Sequence, residues 1–211
     1  MSRPGSHTAI ARGPDQPHGV IRHSLSYVSV TFTSELWKKN KMKATHSIRT
    51  ARPEDAARIV VLGAHVWVHT YATAGVSDVI AQYVLTTFTP ENILALMADP
   101  SVVLLVAEAE ANLAGYIVMR FDSYHADVPI EIETLYVQDS FAGRGIGSAL
   151  LTRARGIAMA KTGDRAIWLV VNSRNEKAIS FYRSRGMTQD GIASFELGGI
   201  KHENKVMVAR D

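Results

Sequence analysis

The sequence predicts a mixed α/β domain of the α+β kind, on three observations. Beyond about residue 43 its apolar segments switch between strand and helix periods in the order β-α-α-α-β-β-β-α-β-α-β-β. The run Ile130 to Val137, a helical stretch and the run Ala166 to Val171 make a crossover of the kind that joins parallel strands. Between them lies F-A-G-R-G-I-G-S-A-L-L, Phe141 to Leu151, a glycine-rich turn that opens a helix.

The elements follow in chain order. Ser47 to Ala51 is a short strand, and Arg52-Pro53-Glu54-Asp55 starts a helix, since proline and acids suit a first turn. That helix runs to about Tyr71 with Ile59, Leu62, Val66 and Trp67 inward. Ser77 or Asp78 caps a second helix, Val79 to Leu85, and Thr89-Pro90 starts a third, which Asp99-Pro100 stops. Val102 to Ala107 is almost wholly apolar, as a strand covered on both faces should be, and returns as Leu113 to Phe121. Asp122 to Pro129 reads as a polar loop before the strand Ile130 to Val137. After the glycine turn come a helix to Lys161, a strand Ala166 to Val171, and a helix Asn175 to Arg185 ended by Gly186. Strands Met187 to Glu196 and Lys201 to Ala209, joined through Gly198-Gly199, complete the chain.

At 211 residues with 46% apolar content, one core is well supplied, and no apolar run approaches the roughly 18 residues that span a bilayer. A cytoplasmic protein without a membrane partner is expected. The absence of cysteine excludes disulfides, a thiol nucleophile and thiolate metal sites, and the eight histidines form no metal-binding motif. No metal is expected. Residues 1 to 43 carry seven Lys/Arg against Asp15 and Glu35, whereas the remainder is slightly acidic. That leader reads as a flexible basic tail, although Leu25 to Phe32 alternates like a strand, and the domain is placed at residues 44 to 211. A transit peptide fits less well because Pro4, Pro14 and Pro17 break the helix it needs, and a true start at Met42 is the other alternative. An acidic body suits a cationic substrate, and a nucleic-acid ligand is not expected.

Gly143, Gly145 and Gly147 let the backbone approach a ligand closely and leave amides free at a helix start, where the dipole favours an anion. Walker A fails because no lysine follows Gly147, and the spacing G-x-G-x-G is not the dinucleotide fingerprint. A plain tight connection would use the same glycines.

The run E-I-E-T-L-Y-V-Q-D-S-F-A-G-R-G-I-G-S-A-L-L, followed by V-V-N-S-R-N-E-K-A-I-S-F-Y-R-S-R-G-M, resembles the core of the GNAT superfamily of acetyl-CoA-dependent N-acetyltransferases. The I-R-x-A-x-x-E-D-A opening at Ile48 to Ala56 is similar too, and the resemblance spans about residues 47 to 209. Thr70 to Asn92, N-E-K-A-I-S-F-Y and the ending S-F-E-L-G-G-I-K-H-E-N-K-V-M-V look most similar to bacterial polyamine acetyltransferases of the PaiA type. The resemblance implies a central mixed, mostly antiparallel sheet with one splayed parallel pair, flanked by helices. It implies acetyl-CoA as cosubstrate and a small cationic primary amine, a polyamine first, as acceptor.

The same resemblance assigns the site. Ala142, Gly143, Arg144, Gly145, Ile146, Gly147 and Ser148 would hold the pyrophosphate, with Ala142 departing from the usual Gln or Arg and Arg144 compensating. Leu135, Tyr136 and Val137 would offer backbone groups to the pantetheine arm and the thioester carbonyl. Asn175 matches the asparagine that reaches that arm, with Asn172 a second candidate; as a residue before an apolar run Asn175 is equally a helix cap. Tyr182 matches the tyrosine that protonates the departing thiolate, though it also reads as a core aromatic.

An alkylammonium must lose a proton before it attacks, since amines titrate near ~10. Glu131 and Glu133 lie on one strand face; Glu133 is the expected base, directly or through water, and Glu131 the attraction for a cation. Two solvated carboxylates would look the same. Tyr124 and His125 are expected to line the acceptor pocket. Direct transfer agrees with the missing cysteine and the absence of G-x-S-x-G. The alternatives are an acetyl-CoA sensor without turnover and a transferase for protein or peptide amines, and a homodimer is left open.

Overall fold

The structure, a computed structural model, describes residues 46–210. The basic leader and its run Leu25 to Phe32 lie outside the described residues. Within them the order is β1 (His46–Thr50), α1 (Ala56–Tyr71), α2 (Asp78–Thr87), α3 (Pro90–Ala98), β2 (Val102–Ala109), β3 (Asn112–His125), β4 (Val128–Val137), α4 (Ile146–Thr162), β5 (Ile167–Asn172), α5 (Glu176–Arg183), β6 (Thr188–Leu197) and β7 (Ile200–Ala209). Single 3-10 turns at Pro53–Asp55 and Asp139–Phe141 precede α1 and the glycine turn.

The helix starts are chemically explicit. Ser77 Oγ accepts from the Ile80 amide at 3.3 Å and Thr89 Oγ1 from the Asn92 amide at 3.2 Å, while Pro90 occupies the position where a missing N–H costs nothing. Before α1, the buried Asp55 carboxylate accepts from the Arg52 amide at 2.8 Å and from two Arg49 guanidinium nitrogens at 2.6 and 3.0 Å. Arg58 donates to it as well, and Arg49 also reaches Glu108 at 2.6 Å. Asp55 therefore ties β1 to the start of α1, and Arg49 extends the link to β2.

The strands form one sheet in the order β1-β2-β3-β4-β5-β7-β6, antiparallel except where β4 meets β5. One face packs Ile117, Met119, Ile130, Ile132, Leu150, Ile167, Leu169 and Met207 under α4 and α5. The other packs Leu104, Val106, Val118 and Tyr116 beneath α1 and α3. No helix among the described residues is long and apolar enough to cross a membrane.

Two features of β4 differ from the expectation of simple alternation. Val118 pairs with Thr134 but its neighbour Met119 pairs with Ile132, so Glu133 is the extra residue of a β-bulge. Ile130 and Ile132 before it and Leu135 and Val137 after it consequently serve the same core, while Tyr136 goes to the opposite face. The expected polar loop from Asp122 to Pro129 is mostly strand, with His125 opposite Val128 and only Ala126 and Asp127 between β3 and β4.

Candidate active site

The parallel pair is joined at a single register position, Glu131 opposite Trp168. Toward their C-terminal ends the strands part, so the backbone groups of β4 aimed at β5 beyond that point have no strand partner. An exposed strand edge of this kind accepts an extended ligand by adding it as one more strand. Leu135, Tyr136 and Val137 all lie in this stretch and all are half-buried.

Immediately downstream, Gly143 (φ 73°) and Gly145 (φ 85°) turn the chain in the left-handed region, where glycine meets no Cβ penalty. Gly145 is the N-cap of α4, and Ala149 is the first residue whose amide bonds one turn back, to the Gly145 carbonyl at 2.9 Å. The amides of Ile146, Gly147 and Ser148 thus precede the helical ladder. Ala142, Gly143, Arg144 and Gly145 are exposed, and the Arg144 guanidinium lies 4.9 Å over the Phe141 ring. A Cβ built on Gly147 would stand 3.7 Å from Val137, which places the turn against the end of β4.

Two cavities open at the C-terminal ends of β4 and β5. A cleft of about 560 Å³ is lined by Val137, Asp139, Asn172, Asn175 and, from α1, His69 and Thr70. A chamber of about 550 Å³ lies over β5, β7 and β6 beneath α1 and α2. Tyr71, Asn172 and His202 line both, so the two spaces meet at these side chains. The chamber is ringed by Trp67, Tyr71, Tyr83, Tyr136, Phe195 and His202. Its far wall is the β6–β7 turn, where a Cβ on Gly198 would stand 2.7 Å from Val79 of α2.

Tyr182 of α5 is buried in the α4/α5 core, its ring 5.2 Å from that of Phe181. Burial pushes its phenol well above the usual tyrosine range, and the Tyr71 phenol adds to the shift. Burial raises the Tyr136 phenol in the same way, followed by Tyr116, Tyr71, Tyr83 and Tyr182. These phenols keep their protons at neutral pH. Asn175 caps α5, its Oδ1 accepting from the Ala178 amide at 3.1 Å, while the side chain also lines the cleft. Asn172 Oδ1 accepts from the Arg174 amide at 2.9 Å.

Tyr182 lines neither cavity, and the structure does not gather the remaining predicted residues at this junction either. Glu133, exposed at the bulge, accepts from Arg120 Nε at 2.9 Å, and Arg120 Nη1 donates to Asp99 at 3.0 Å. Glu131 accepts from Ser123 Oγ at 2.6 Å. Neither carboxylate lines either cavity. Tyr124 is 66% exposed and His125 Nε2 sits 3.3 Å from Asp190, at the end of β4 away from the junction, so neither lines the chamber. The reason is the extended β3–β4 hairpin: residues expected in a polar loop are held in a strand whose end points the other way. Tyr136 was expected only at the pantetheine arm and Trp67 only in the core; the other rings, Tyr71, Tyr83 and Phe195, and His202 are what the sequence reading missed. They come from α1, α2, β6 and β7, and their only linear signal was a scatter of aromatics in the segments around residues 67–83 and 195–202.

The chain from residue 65 to residue 187 matches the model of the acetyltransferase (GNAT) family. It is 27% identical over 158 residues to an uncharacterised N-acetyltransferase of Mycobacterium bovis, covering 74% of this chain and 97% of that one. An uncharacterised N-acetyltransferase of Lactobacillus delbrueckii subsp. lactis is 26% identical over 151 residues, covering 69% and 86%. Among solved structures, the PaiA N-acetyltransferase of Thermoplasma acidophilum in complex with coenzyme A superposes with a TM-score of 0.66 at 22% identity, covering 79% of this chain and 99% of that one. A parted parallel pair, a glycine turn at a helix start and a family match that runs through both say one thing together: the chain belongs to the GNAT family of acetyltransferases.

Proposed function

We propose that the protein transfers acetyl from acetyl-CoA directly to a small-molecule primary amine. The observation that carries this reading is the parted β4–β5 pair with the free helix-start amides of α4 directly after it. The turn Ala142 to Ser148 would hold the pyrophosphate through backbone N–H groups, with Arg144 adding charge where Ala142 offers none. The backbone groups of the Leu135, Tyr136 and Val137 stretch that face away from β3 would hold the pantetheine arm, helped by the Asn175 side chain, and an amide there would stabilise charge on the carbonyl oxygen. Acetyl-CoA supplies an activated acyl group whose leaving group is a thiolate. A polyamine acceptor is what the sequence resemblance to PaiA-type acetyltransferases implies. Incubation with acetyl-CoA and a panel of amines, followed by free thiol release and product mass, tests the assignment. Release that depends on the amine is expected; coenzyme A binding without release for any amine would reassign the domain as a sensor.

Two protons must move as the amide forms and the C–S bond breaks. Both leave the acceptor nitrogen on its way from ammonium to amide: the first before attack, and the second to restore the proton that Tyr182 gives to the departing thiolate. At the junction of the two cavities stand a phenol raised by burial, a carboxamide and an imidazole. Of these only His202 offers an imidazole nitrogen, the group most often used for general-base catalysis. Glu133 is held by Arg120, so the geometry favours His202 as the proton acceptor, facing Tyr71 from α1 and Tyr136 from β4. His202→Asn is expected to lower kcat/KM about 100-fold at pH 7. The deficit should shrink as pH rises toward the pKa of the amine, where the acceptor arrives already neutral. A deficit that stayed constant with pH would assign His202 a packing role instead.

A further inference from the structure

The chamber's lining is specific about what the acceptor can be, given the transferase reading on which this inference rests. Its floor is a chain of touching rings: Trp67 stacks on Tyr83 at 4.6 Å and meets Tyr71 at 4.8 Å, Tyr83 meets Phe195 edge-on at 5.9 Å, and Phe195 stands 6.5 Å from His202. Trp67 is fully buried by this packing, whereas Phe195 is 38% exposed at the rim. Val79, Ile80, Val170, Leu197 and Ile200 supply most of the remaining wall. The polar groups are Ser77, Ser194, Asn172, Asn204 and the ring heteroatoms, and among the described residues no Asp, Glu, Lys or Arg lines the space.

That composition decides between acceptor classes. A polyamine would leave its second and third ammonium groups inside an apolar wall without a counter-charge, a costly arrangement for a buried cation. The carboxylates that could have met them, Glu131 and Glu133, are bonded to Ser123 and Arg120 outside the chamber. An amino acid or peptide carboxylate would find no guanidinium or ammonium partner there either. A single ammonium is different, because it rests against aromatic faces before losing its proton and carries no charge into the product. The volume of about 550 Å³ suits a small ligand with a ring system.

We propose that the chamber Trp67–Tyr83–Phe195 is the acceptor site for a monoamine with an aromatic or apolar body, an arylalkylamine or alkylamine rather than a polyamine or amino acid. Its body lies against the rings and its nitrogen reaches the junction at Tyr71, Asn172 and His202.

The test compares tryptamine, hexylamine, spermidine and tryptophan on the full-length protein, by kcat/KM and by calorimetric binding in the presence of coenzyme A. Tryptamine is expected to exceed spermidine and tryptophan by about 100-fold in both measurements, the size of effect that an uncompensated buried charge produces. Phe195→Leu, at the exposed rim where the fold tolerates the change, should narrow the tryptamine-to-hexylamine ratio about fivefold. Spermidine matching or exceeding tryptamine, or a ratio unmoved by Phe195→Leu, overturns the proposal. Because binding is read separately from turnover, tight tryptamine binding with no acetylation would refute the transferase reading and leave the chamber's selectivity standing. Acetylation of spermidine alone would do the reverse.

Discussion

Replacing Tyr182 by phenylalanine is expected to lower kcat about 100-fold while leaving coenzyme A affinity within about twofold of the parent, as for loss of a positioned acid. The change removes one oxygen from a buried ring and keeps the packing with Phe181. Its effect should therefore fall on a proton rather than on a shape. The phenol is held above its ordinary range first by burial and then by the Tyr71 phenol, so it keeps its proton at neutral pH, as the proposed acid must. Single-turnover kinetics with acetyl-CoA, together with calorimetric titration of coenzyme A, separate the two terms. Unchanged kcat would remove Tyr182 from the chemistry and return it to the core. A large loss of coenzyme A affinity would show that the hydroxyl binds rather than donates.

The second large effect is on stability. Asp55→Ala is expected to destabilise the fold by about 3 kcal/mol, since it strips a buried carboxylate from its guanidinium partners. In a domain of this size that corresponds to a fall in Tm of about 10 °C. Arg49, bonded at 2.6 Å and first among the causes, holds the Asp55 carboxyl far below the usual carboxylate range. A group whose folded pKa is depressed contributes stability that is fully present above its unfolded value of about 4 and is lost as pH falls through the folded value. Thermal melts of the parent should thus weaken below about pH 4, and Asp55→Ala should flatten that acid limb. Parallel curves for the two proteins would show that the acid sensitivity comes from elsewhere.

Much of the scaffold could be read directly because it is written in local chemistry. Ser77, Thr89 and Asn175 each cap a helix that their sequence neighbours announce, and Gly143 and Gly145 occupy positions that demand a positive φ. The crossover from β4 through α4 to β5 followed from period alone. The bulge at Glu133 was not legible, since one added residue leaves the strand pattern intact on either side and shifts only its phase. For that reason Glu131 and Glu133 could be placed on one face, yet their distance from the chamber could not be foreseen. The chamber itself is an encounter of side chains as far apart in the chain as Trp67 and His202, and adjacency of that kind belongs to topology rather than to any window of sequence. Tyr124 and His125 show the converse, with polar residues that suggested a loop built instead into a hairpin strand.

For the proposed reaction, the meeting of the two cavities at Tyr71, Asn172 and His202 would also govern traffic. The chamber has its own rim at Val79, Phe195 and Ile200, and the cleft has a separate one at Arg174, Glu176 and Lys177. On the proposed assignment donor and acceptor would arrive by different doors, and neither product would have to pass through the space that the other one occupies.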